Sequence, residues 1–327
     1  MKREAISIAI NNSKGGVGKT TISGNMAHLL SLCGYRVLLA DFDSQGSNTE
    51  MLKVVDNNGN RLSREDIDKL NVFKMFIGPV NMNNYIFHTQ YENLDVIPNA
   101  QSVKRVFGNG TFDERFADEG LPEGPRKYLA LYDNLAQIRG RYDYIIMDGQ
   151  PSINNTARIT IAACDYVLSP AAADLFNLTP IRQTCEMIRF CNEQLKRNIG
   201  YLGFFLNNIY DVKAETYLQL RQYYEREGKK FFDGSGYFID CPVRFSAIVN
   251  KSGVTRQFWF DYAKNRSVIL PNPCKDLLKL LYNELGLIEK DHLNELVKNG
   301  FRSSDIEKTI GETLNDGEEE EDTHAEN

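Results

Sequence analysis

A glycine-rich segment at residues 12–21, NSKGGVGKTT, constrains the fold of this chain more than any other feature. It follows an apolar run at residues 5–10, which predicts a buried strand, and it leads into residues 20–32, which predict a helix. A strand, a glycine-rich turn and a helix in this order form a cradle for phosphate groups. The glycines let the backbone point its N–H groups at the phosphate oxygens, and the helix start adds the positive end of its dipole. The sequence therefore predicts a phosphate-binding loop.

The loop matches the pattern G-x-x-x-x-G-K-[ST] imperfectly. Ser13 stands where the first glycine belongs, and a second lysine, Lys14, follows it. In this pattern Lys19 reaches the β- and γ-phosphates, and the Thr20 hydroxyl binds Mg²⁺. The candidate nucleotide-binding residues of the loop are Lys14, Gly15, Gly16, Val17, Gly18, Lys19, Thr20 and Thr21.

The second lysine, Lys14, distinguishes this loop from the general phosphate-loop pattern. The sequence KGGVGKTT near the amino terminus resembles the deviant Walker A loop of the ParA/MinD family of ATPases, and of the ParA-type DNA-partitioning ATPases in particular. The resemblance implies an α/β fold with a mostly parallel twisted sheet flanked by helices, and it implies ATP and Mg²⁺ as cofactors. It also implies that Lys14 reaches the nucleotide of a partner subunit, so Lys14 and Lys19 are both candidate catalytic residues.

The end of the second predicted strand carries two aspartates. Residues 38–48, LLADFDSQGSN, resemble the family segment D-x-D-P-Q-G-N, with Ser44 in place of proline and Ser47 in place of asparagine. The resemblance implies that Asp43 positions the attacking water and helps to hold Mg²⁺. It gives Asp41 a supporting position behind the groups that contact the metal.

A third segment, YDYIIMDGQPS at residues 142–152, is an apolar strand that ends in Asp148. This is the Walker B pattern, in which the carboxylate holds Mg²⁺ or its water. The candidate metal ligands are therefore Thr20, Asp43 and Asp148. Gly149 and Gln150 replace the Thr-Pro pair usual in the family, which leaves the shape of the following switch loop open.

Weaker signals lie beyond residue 200. Residues 204–211, FFLNNIYD, look like the family strand that ends beside the base, and an amide can read an adenine edge because it both donates and accepts hydrogen bonds. Asn208 is the candidate adenine contact, with an ordinary turn asparagine as the alternative.

A basic stretch follows at residues 241–269, with five basic residues against one acidic residue. In relatives, basic residues of this region contact the DNA backbone, and a solvated basic face is the alternative. The candidate DNA-binding residues are Lys213, Arg244, Lys251 and Arg256, with Lys264 and Arg266 as further candidates.

Charge is unevenly distributed along the 327 residues. The net charge is −6, but residues 304–327 carry −9 and the remainder +3, so nucleic acid stays open as a partner. Six cysteines without C-x-x-C spacing predict reduced, buried thiols. No apolar run is long enough to span a membrane and the start does not resemble a signal peptide, so we expect a cytoplasmic protein with no membrane partner. The family resemblance implies that this protein associates with the nucleoid.

Apolar runs alternate with helical patterns, which favours a parallel sheet flanked by helices. The predicted strands lie at residues 5–10, 36–40, 94–97, 144–147, 166–168 and 201–206. The predicted helices lie at residues 20–32, 63–75, 127–139, 180–196, 215–227 and 275–284, and Ser63 with Asp66 predicts a capping box. We expect an ATPase domain at residues 1–286, a C-terminal helical extension at 287–314 and a disordered acidic tail at 315–327.

The function expected from the resemblance is slow, partner-stimulated ATP hydrolysis by a homodimer that forms on ATP binding. Such a dimer binds DNA nonspecifically and partitions a plasmid or chromosome with a ParB-like, centromere-binding adaptor. One alternative is a MinD-like or other cargo-positioning ATPase that acts at a membrane or on a protein assembly, although the acidic C-terminus is a poor membrane anchor. A cluster-carrying relative would need cysteines gathered at an interface. The changes at residue 44 and at residues 149–150 also leave open a scaffold that binds ATP without turning it over.

Overall fold

The computed structural model describes residues 4–43, 45–56, 58–70, 72–99, 125–150, 155–231, 237–264 and 269–314. Its described part is built on one eight-stranded sheet, with strand order β3-β4-β2-β5-β1-β6-β7-β8. The strands are β1 (Ile6–Ile10), β2 (Val37–Asp41), β3 (Phe87–His88), β4 (Leu94–Ile97), β5 (Tyr144–Asp148), β6 (Tyr166–Ala172), β7 (Gly200–Ile209) and β8 (Val243–Arg244). Among the strand pairs of the described ranges, only the edge pair β3 and β4 is antiparallel. The predicted α/β fold with a mostly parallel sheet is confirmed.

The six predicted strands are all present, and two of them run further than predicted. Strand β6 continues to Ala172 and β7 extends over Gly200–Ile209, so both reach the edge of the sheet where the phosphate loop lies. Strands β2 and β5 are buried at every position, as expected for strands with helices on both faces. The short strands β3 and β8 have two residues each, too few to leave a sequence pattern.

The helices are α1 (Lys19–Leu32), α2 (Ser47–Met51), α3 (Arg64–Asp68), α4 (Lys74–Ile77), α5 (Ala130–Ala136), α6 (Asn155–Ala163), α7 (Leu178–Gln194), α8 (Glu215–Phe231), α9 (Ala247–Thr255), α10 (Trp259–Lys264), α11 (Asn272–Lys279), α12 (Leu293–Lys298) and α13 (Ser303–Ile310). Helix α11 continues as a π-helical turn over Leu280–Glu284. Sequence patterns did not predict α2, α6, α9 or α10.

The single helix predicted over residues 63–75 is wrong. The chain forms α3, which opens with the predicted Ser63–Asp66 capping box, and then the separate short helix α4. The break has a packing reason, because Val72, Phe73, Met75 and Phe76 are all buried. Ile67 is buried as well, and a continuous helix would spread these five side chains over about two thirds of its circumference, so the chain turns to bring them inward.

Two apolar layers cover the sheet. Along β1, Ile8 and Ile10 face the layer that contains α1, α10 and α11, whereas Ala9 faces the layer that contains α5, α6 and α7. This alternation follows from the two-residue period of a strand. The run Phe258-Trp259-Phe260 is buried in the first layer.

The predicted C-terminal extension packs into the same core as the sheet. Leu293, Leu296 and Ile306 belong to the first apolar layer. The segment lies at the amino ends of the strands, because the Tyr144 hydroxyl at the start of β5 donates to the Leu287 carbonyl at 2.5 Å. The domain boundary at residue 286 stays a prediction, and the tail at residues 315–327 lies outside the described residues. No helix in the described ranges is long and apolar enough to cross a membrane.

Candidate nucleotide site

The phosphate loop connects β1, near the middle of the sheet, to the start of α1. Gly16 and Gly18 adopt left-handed backbone conformations, with φ values of 73° and 91° that favour glycine. Gly18 is also the residue before α1, and a Cβ there would lie 2.2 Å from the Asn207 side-chain nitrogen. No side chain caps the helix, so its first N–H groups remain available to an anion.

Lys19 is buried within its own loop. Its Nζ donates to the Lys14 carbonyl oxygen at 2.8 Å, and only 5% of the residue is exposed. Burial lowers its pKa to about 8, although the nearby carboxylates Asp148 and Asp43 oppose that shift. The ammonium therefore lies inside the cradle, within reach of a phosphate that would replace the carbonyl oxygen as its partner.

Lys14 points away from Lys19, toward the loop after β6. Its Nζ forms an ion pair with Asp174 Oδ2 at 2.5 Å, and the lysine side chain is 30% exposed. Asp174 is fixed in turn, because its Oδ1 accepts hydrogen bonds from the Phe176 N–H and the Asn177 side chain. In the single chain, Lys14 is thus held by a carboxylate of the same subunit.

The first half of the loop is fastened to the β6–α7 region. Asn12 accepts a hydrogen bond from the Lys14 N–H at 2.9 Å and donates to the Pro170 carbonyl at 2.9 Å. The Ser13 hydroxyl donates to Gln183 on α7 at 2.7 Å. The serine that replaces the usual glycine therefore anchors the loop to a neighbouring helix.

Two carboxylates lie side by side at the ends of neighbouring strands. Asp41 and Asp148 are aligned residues of β2 and β5, and both are fully buried. Burial raises the pKa of Asp148 well above its usual range and that of Asp41 to about 6. Asp41 accepts hydrogen bonds from the Thr49 N–H and hydroxyl, at 2.7 and 2.6 Å. These bonds hold the Asp41 carboxylate against α2, and its supporting role behind the metal stays a prediction.

The candidate metal ligands meet at this edge of the sheet. The Thr20 hydroxyl lies 3.4 Å from Asp43 Oδ2, and the Thr20 side chain partly offsets the rise in the pKa of Asp148 that burial causes. Asp148 Oδ1 is buried and has no hydrogen-bond partner among the described residues. Hydroxyl and carboxylate oxygens are suitable ligands for Mg²⁺, which keeps several waters and usually binds one or two carboxylates plus substrate phosphates. These residues therefore fit Mg²⁺ bound together with a nucleotide. No cluster of three His, Cys, Asp or Glu side chains that could hold a metal by itself is found in the described ranges.

Helix α2 supplies contacts that the sequence analysis did not assign. Asn48 donates to Asp148 Oδ2 at 3.0 Å, while Thr49 holds Asp41. Asn99 ties the same region together, since its N–H donates to the Thr49 hydroxyl at 2.7 Å and its side chain to the Asp43 carbonyl at 2.5 Å. The available signal was the Q-G-S-N sequence after Asp43, which contains Asn48 but does not show which way its amide points.

The two asparagines near the end of β7 have different environments. Asn207 is buried, and its side chain donates to the Val17 carbonyl of the phosphate loop at 2.9 Å. Asn208 is exposed and has a left-handed conformation with a φ of 60°. Its predicted contact with adenine stays a prediction, whereas Asn207 is a loop-supporting residue that sequence reasoning missed.

The predicted DNA-binding residues differ in whether their charges are exposed or already paired. Lys213, Lys251 and Arg256 are exposed. Arg244 instead forms a two-pronged ion pair with Asp276, at 2.8 Å from Nε and 2.5 Å from Nη2. Its guanidinium fork is occupied, so we leave Arg244 out of the proposed DNA surface. Lys264 is exposed, and Arg266 lies outside the described residues.

The cysteines do not resemble a cluster site. All six are free, and every one except the half-buried Cys185 is buried. Burial raises the pKa of the Cys191 thiol to about 12, which disfavours the thiolate that metal ligation requires. The prediction of reduced, buried thiols is confirmed for five of the six.

Comparison with known proteins identifies the family. The AAA_31 family model, described as an AAA domain, matches residues 5–201, which is more than half of the chain. The sporulation initiation inhibitor protein Soj of Bacillus subtilis is 30% identical over 241 residues, covering 73% of this chain and 85% of Soj. The chain belongs to the ParA/MinD family of P-loop ATPases. The family predicted from the KGGVGKTT loop is thus confirmed.

Solved structures of this family have the same fold. The ATP complex of McdA from Cyanothece superposes with a TM-score of 0.67 at 17% identity, covering 86% of this chain and 97% of McdA. A putative plasmid partition protein from Borrelia burgdorferi, bound to AMPPNP, superposes with a TM-score of 0.59 at 19% identity, covering 90% of this chain and 100% of that protein. At these identities the likeness establishes the fold of this ParA/MinD family member.

Proposed function

We propose that this chain is a ParA-type ATPase that binds ATP with Mg²⁺, dimerises on ATP and binds DNA nonspecifically. With a ParB-like, centromere-binding adaptor that stimulates slow hydrolysis, it would partition a plasmid or chromosome. The observation that carries the proposal is the position of Lys14, which lies in the phosphate loop and forms a partly exposed ion pair with Asp174 of the same subunit. The names of relatives support the cellular role, since they include chromosome-partitioning proteins and a plasmid partition protein.

The residues of the cradle have separable tasks in ATP binding. Lys19 would exchange its bond to the Lys14 carbonyl for one to the β- and γ-phosphates, whose negative charge favours the ammonium form. Thr20, Asp43 and Asp148 would hold Mg²⁺, which when bound neutralises charge on the phosphates. The Asp43 carboxylate, at the mouth of the site, would orient the attacking water.

Dimerisation depends on whether Lys14 can leave Asp174. The Lys14 and Asp174 side chains are 30% and 36% exposed, and ion pairs of this kind contribute at most about 1 kcal/mol. A triphosphate on a facing subunit carries several charges and can compete for the ammonium. Leu175 and Phe176, in the same loop, are 55% and 79% exposed, and such apolar exposure is typical of an association surface.

DNA binding would use exposed cations of the two subunits together. Lys213, Lys251 and Arg256 supply the exposed positive charge on each subunit. Joining two subunits makes the second set of phosphate contacts intramolecular, so the dimer binds DNA much more tightly than the monomer does. ATP binding would thereby control DNA binding.

The experiment that tests the proposal is a Lys14→Ala variant, with Lys298→Ala as the control because Lys298 is an exposed lysine on α12. Mass is measured by light scattering with a non-hydrolysable ATP analogue, and nucleotide affinity by titration. We expect the control to dimerise and the Lys14→Ala chain to bind the analogue but stay monomeric. Analogue-dependent dimerisation that survives in Lys14→Ala would contradict the proposal.

A further inference from the structure

A groove runs beside the nucleotide site, between α2, the loop at residues 53–62 and the end of α9. It consists of two adjoining cavities of about 340 and 220 Å³. Both are lined by Glu50, Leu52, Arg61 and Arg256, so they form one continuous depression. The loop that forms one wall is a small antiparallel turn, in which Val55 bridges to Arg61 and to His88 of β3.

The groove presents more available positive than negative charge. Lys53, Arg61 and Arg256 are exposed and make no ion pair among the described residues. Arg64, at one end, is paired with Asp68 at 3.0 Å. The groove also contains two carboxylates, Glu50 and Asp261, of which Asp261 accepts a hydrogen bond from the Tyr91 hydroxyl. Three cations therefore face two acidic groups.

Helix α2 forms the floor of the groove and also the wall of the nucleotide site. Asn48 and Thr49 hold the two buried carboxylates Asp148 and Asp41, and the next residue, Glu50, lines the groove. A ligand in the groove would therefore contact the same five-residue helix whose Asn48 and Thr49 hold the two carboxylates of the nucleotide site. Any shift of α2 that either this ligand or a nucleotide favours will change the affinity for the other, because such coupling is reciprocal.

We propose that this groove contacts the phosphodiester backbone of double-stranded DNA through Lys53, Arg61 and Arg256. The inference rests on the proposed DNA binding and extends its surface from α9 toward the nucleotide site. Arg256 belongs to both surfaces, and Lys251 lies just over one turn before it on α9. Nonspecific DNA binding needs exposed cations along an open surface, and these three, two from the loop at residues 53–62 and one at the end of α9, line one groove.

The test measures how DNA binding depends on salt. The variant is Lys53→Ala/Arg61→Ala, and the control is Arg226→Ala/Lys298→Ala, which removes the same charge from exposed positions on α8 and α12. Binding of a labelled nonspecific duplex is followed by fluorescence anisotropy between 50 and 200 mM KCl, with a non-hydrolysable ATP analogue present. Melting temperature and analogue affinity are measured for every chain, so that a folding defect is recognised.

Each phosphate contact contributes about 0.9 to the slope of log K against log salt concentration. We expect the groove variant to lose roughly 2 from the slope per subunit and at least about tenfold in DNA affinity at 0.1 M salt, with the control unchanged. If the wild type binds DNA and the groove variant keeps both slope and affinity, the groove is not a DNA contact and the inference is overturned. If the wild-type chain binds no DNA with the analogue present, the proposed function itself fails.

Discussion

His28 makes the stability of this protein depend on pH in a calculable way. The imidazole is in the middle of α1, is fully buried, and contacts the rings of Tyr91 and Phe258 at centroid distances of 4.3 and 5.2 Å. Its Nδ1 has no hydrogen-bond partner among the described residues. Burial, with a smaller contribution from the positive charge of Lys264, lowers its pKa from the usual 6.5 to about 3.

The magnitude follows from the two pKa values. The unfolded chain takes up a proton at His28 below about pH 6.5, whereas the folded chain does not until about pH 3. Stability is therefore lost as the pH falls through this window, at about 1.4 kcal/mol per pH unit. Between pH 7.5 and pH 5.0 the loss attributable to His28 is about 2 kcal/mol.

The assay is urea unfolding at pH 7.5 and 5.0, without nucleotide, of the wild type and a His28→Gln variant. Fluorescence of Trp259, the single tryptophan, reports unfolding because its side chain is buried. Between the two pH values, we expect the free energy of unfolding of the wild type to fall by about 2 kcal/mol more than that of the variant. This difference does not depend on how much the substitution destabilises the protein at neutral pH. An equal loss in both chains would refute the reasoning, because it would mean that the folded protein accommodates a charged His28. The cavity of about 240 Å³ beside His28 would then have to supply the solvation.

Two further pairs of substitutions test a glycine of the phosphate loop and the ion pair between Arg244 and Asp276. Gly18→Ala should destabilise the protein by roughly 1–3 kcal/mol, because the new Cβ meets Asn207 and the backbone is left-handed. Gly15→Ala is the control, since a Cβ there has open space and should destabilise the protein far less. Thermal melting of both chains measures the difference. Asp276→Ala should cost roughly 3 kcal/mol in urea unfolding because it leaves the Arg244 guanidinium partly buried and unpaired, while Glu225→Ala, which removes an exposed partner of Arg221, should stay within about 1 kcal/mol. Equal costs within either pair would contradict the corresponding argument.

The central strands and the phosphate loop were predictable because each leaves a strong local pattern. Strand β5 is a continuous apolar run that ends in Asp148, and the loop is bounded by a strand and a helix. The same local logic located the capping box at Ser63. Within these segments, neighbours along the chain determine the conformation, so the sequence alone was sufficient.

The groups that support the site were not predictable, because they act across long separations. Asn207 reaches the phosphate loop from 190 positions away, and Asp174 holds Lys14 from 160 positions away. Nothing in the residues next to Arg244 indicates that its charge is taken up by Asp276, 32 positions further on. Only the fold brings these partners together. Residue type and spacing therefore predicted Arg244 as an unpaired cation available to DNA.

Helix α1 separates the two ends of this molecule. It has 14 residues, about 21 Å at the usual rise, and it runs from the phosphate loop to the segment at residues 287–314, where Asn299 donates to the Leu32 carbonyl. A fluorophore at position 298 would therefore lie far from the phosphate loop. The native thiols are buried or half-buried, so a Lys298→Cys chain would be labelled by maleimide almost exclusively at the new thiol. This gives a single reporter for testing the proposed assembly on DNA in real time, at a position outside the proposed DNA surface and the phosphate loop.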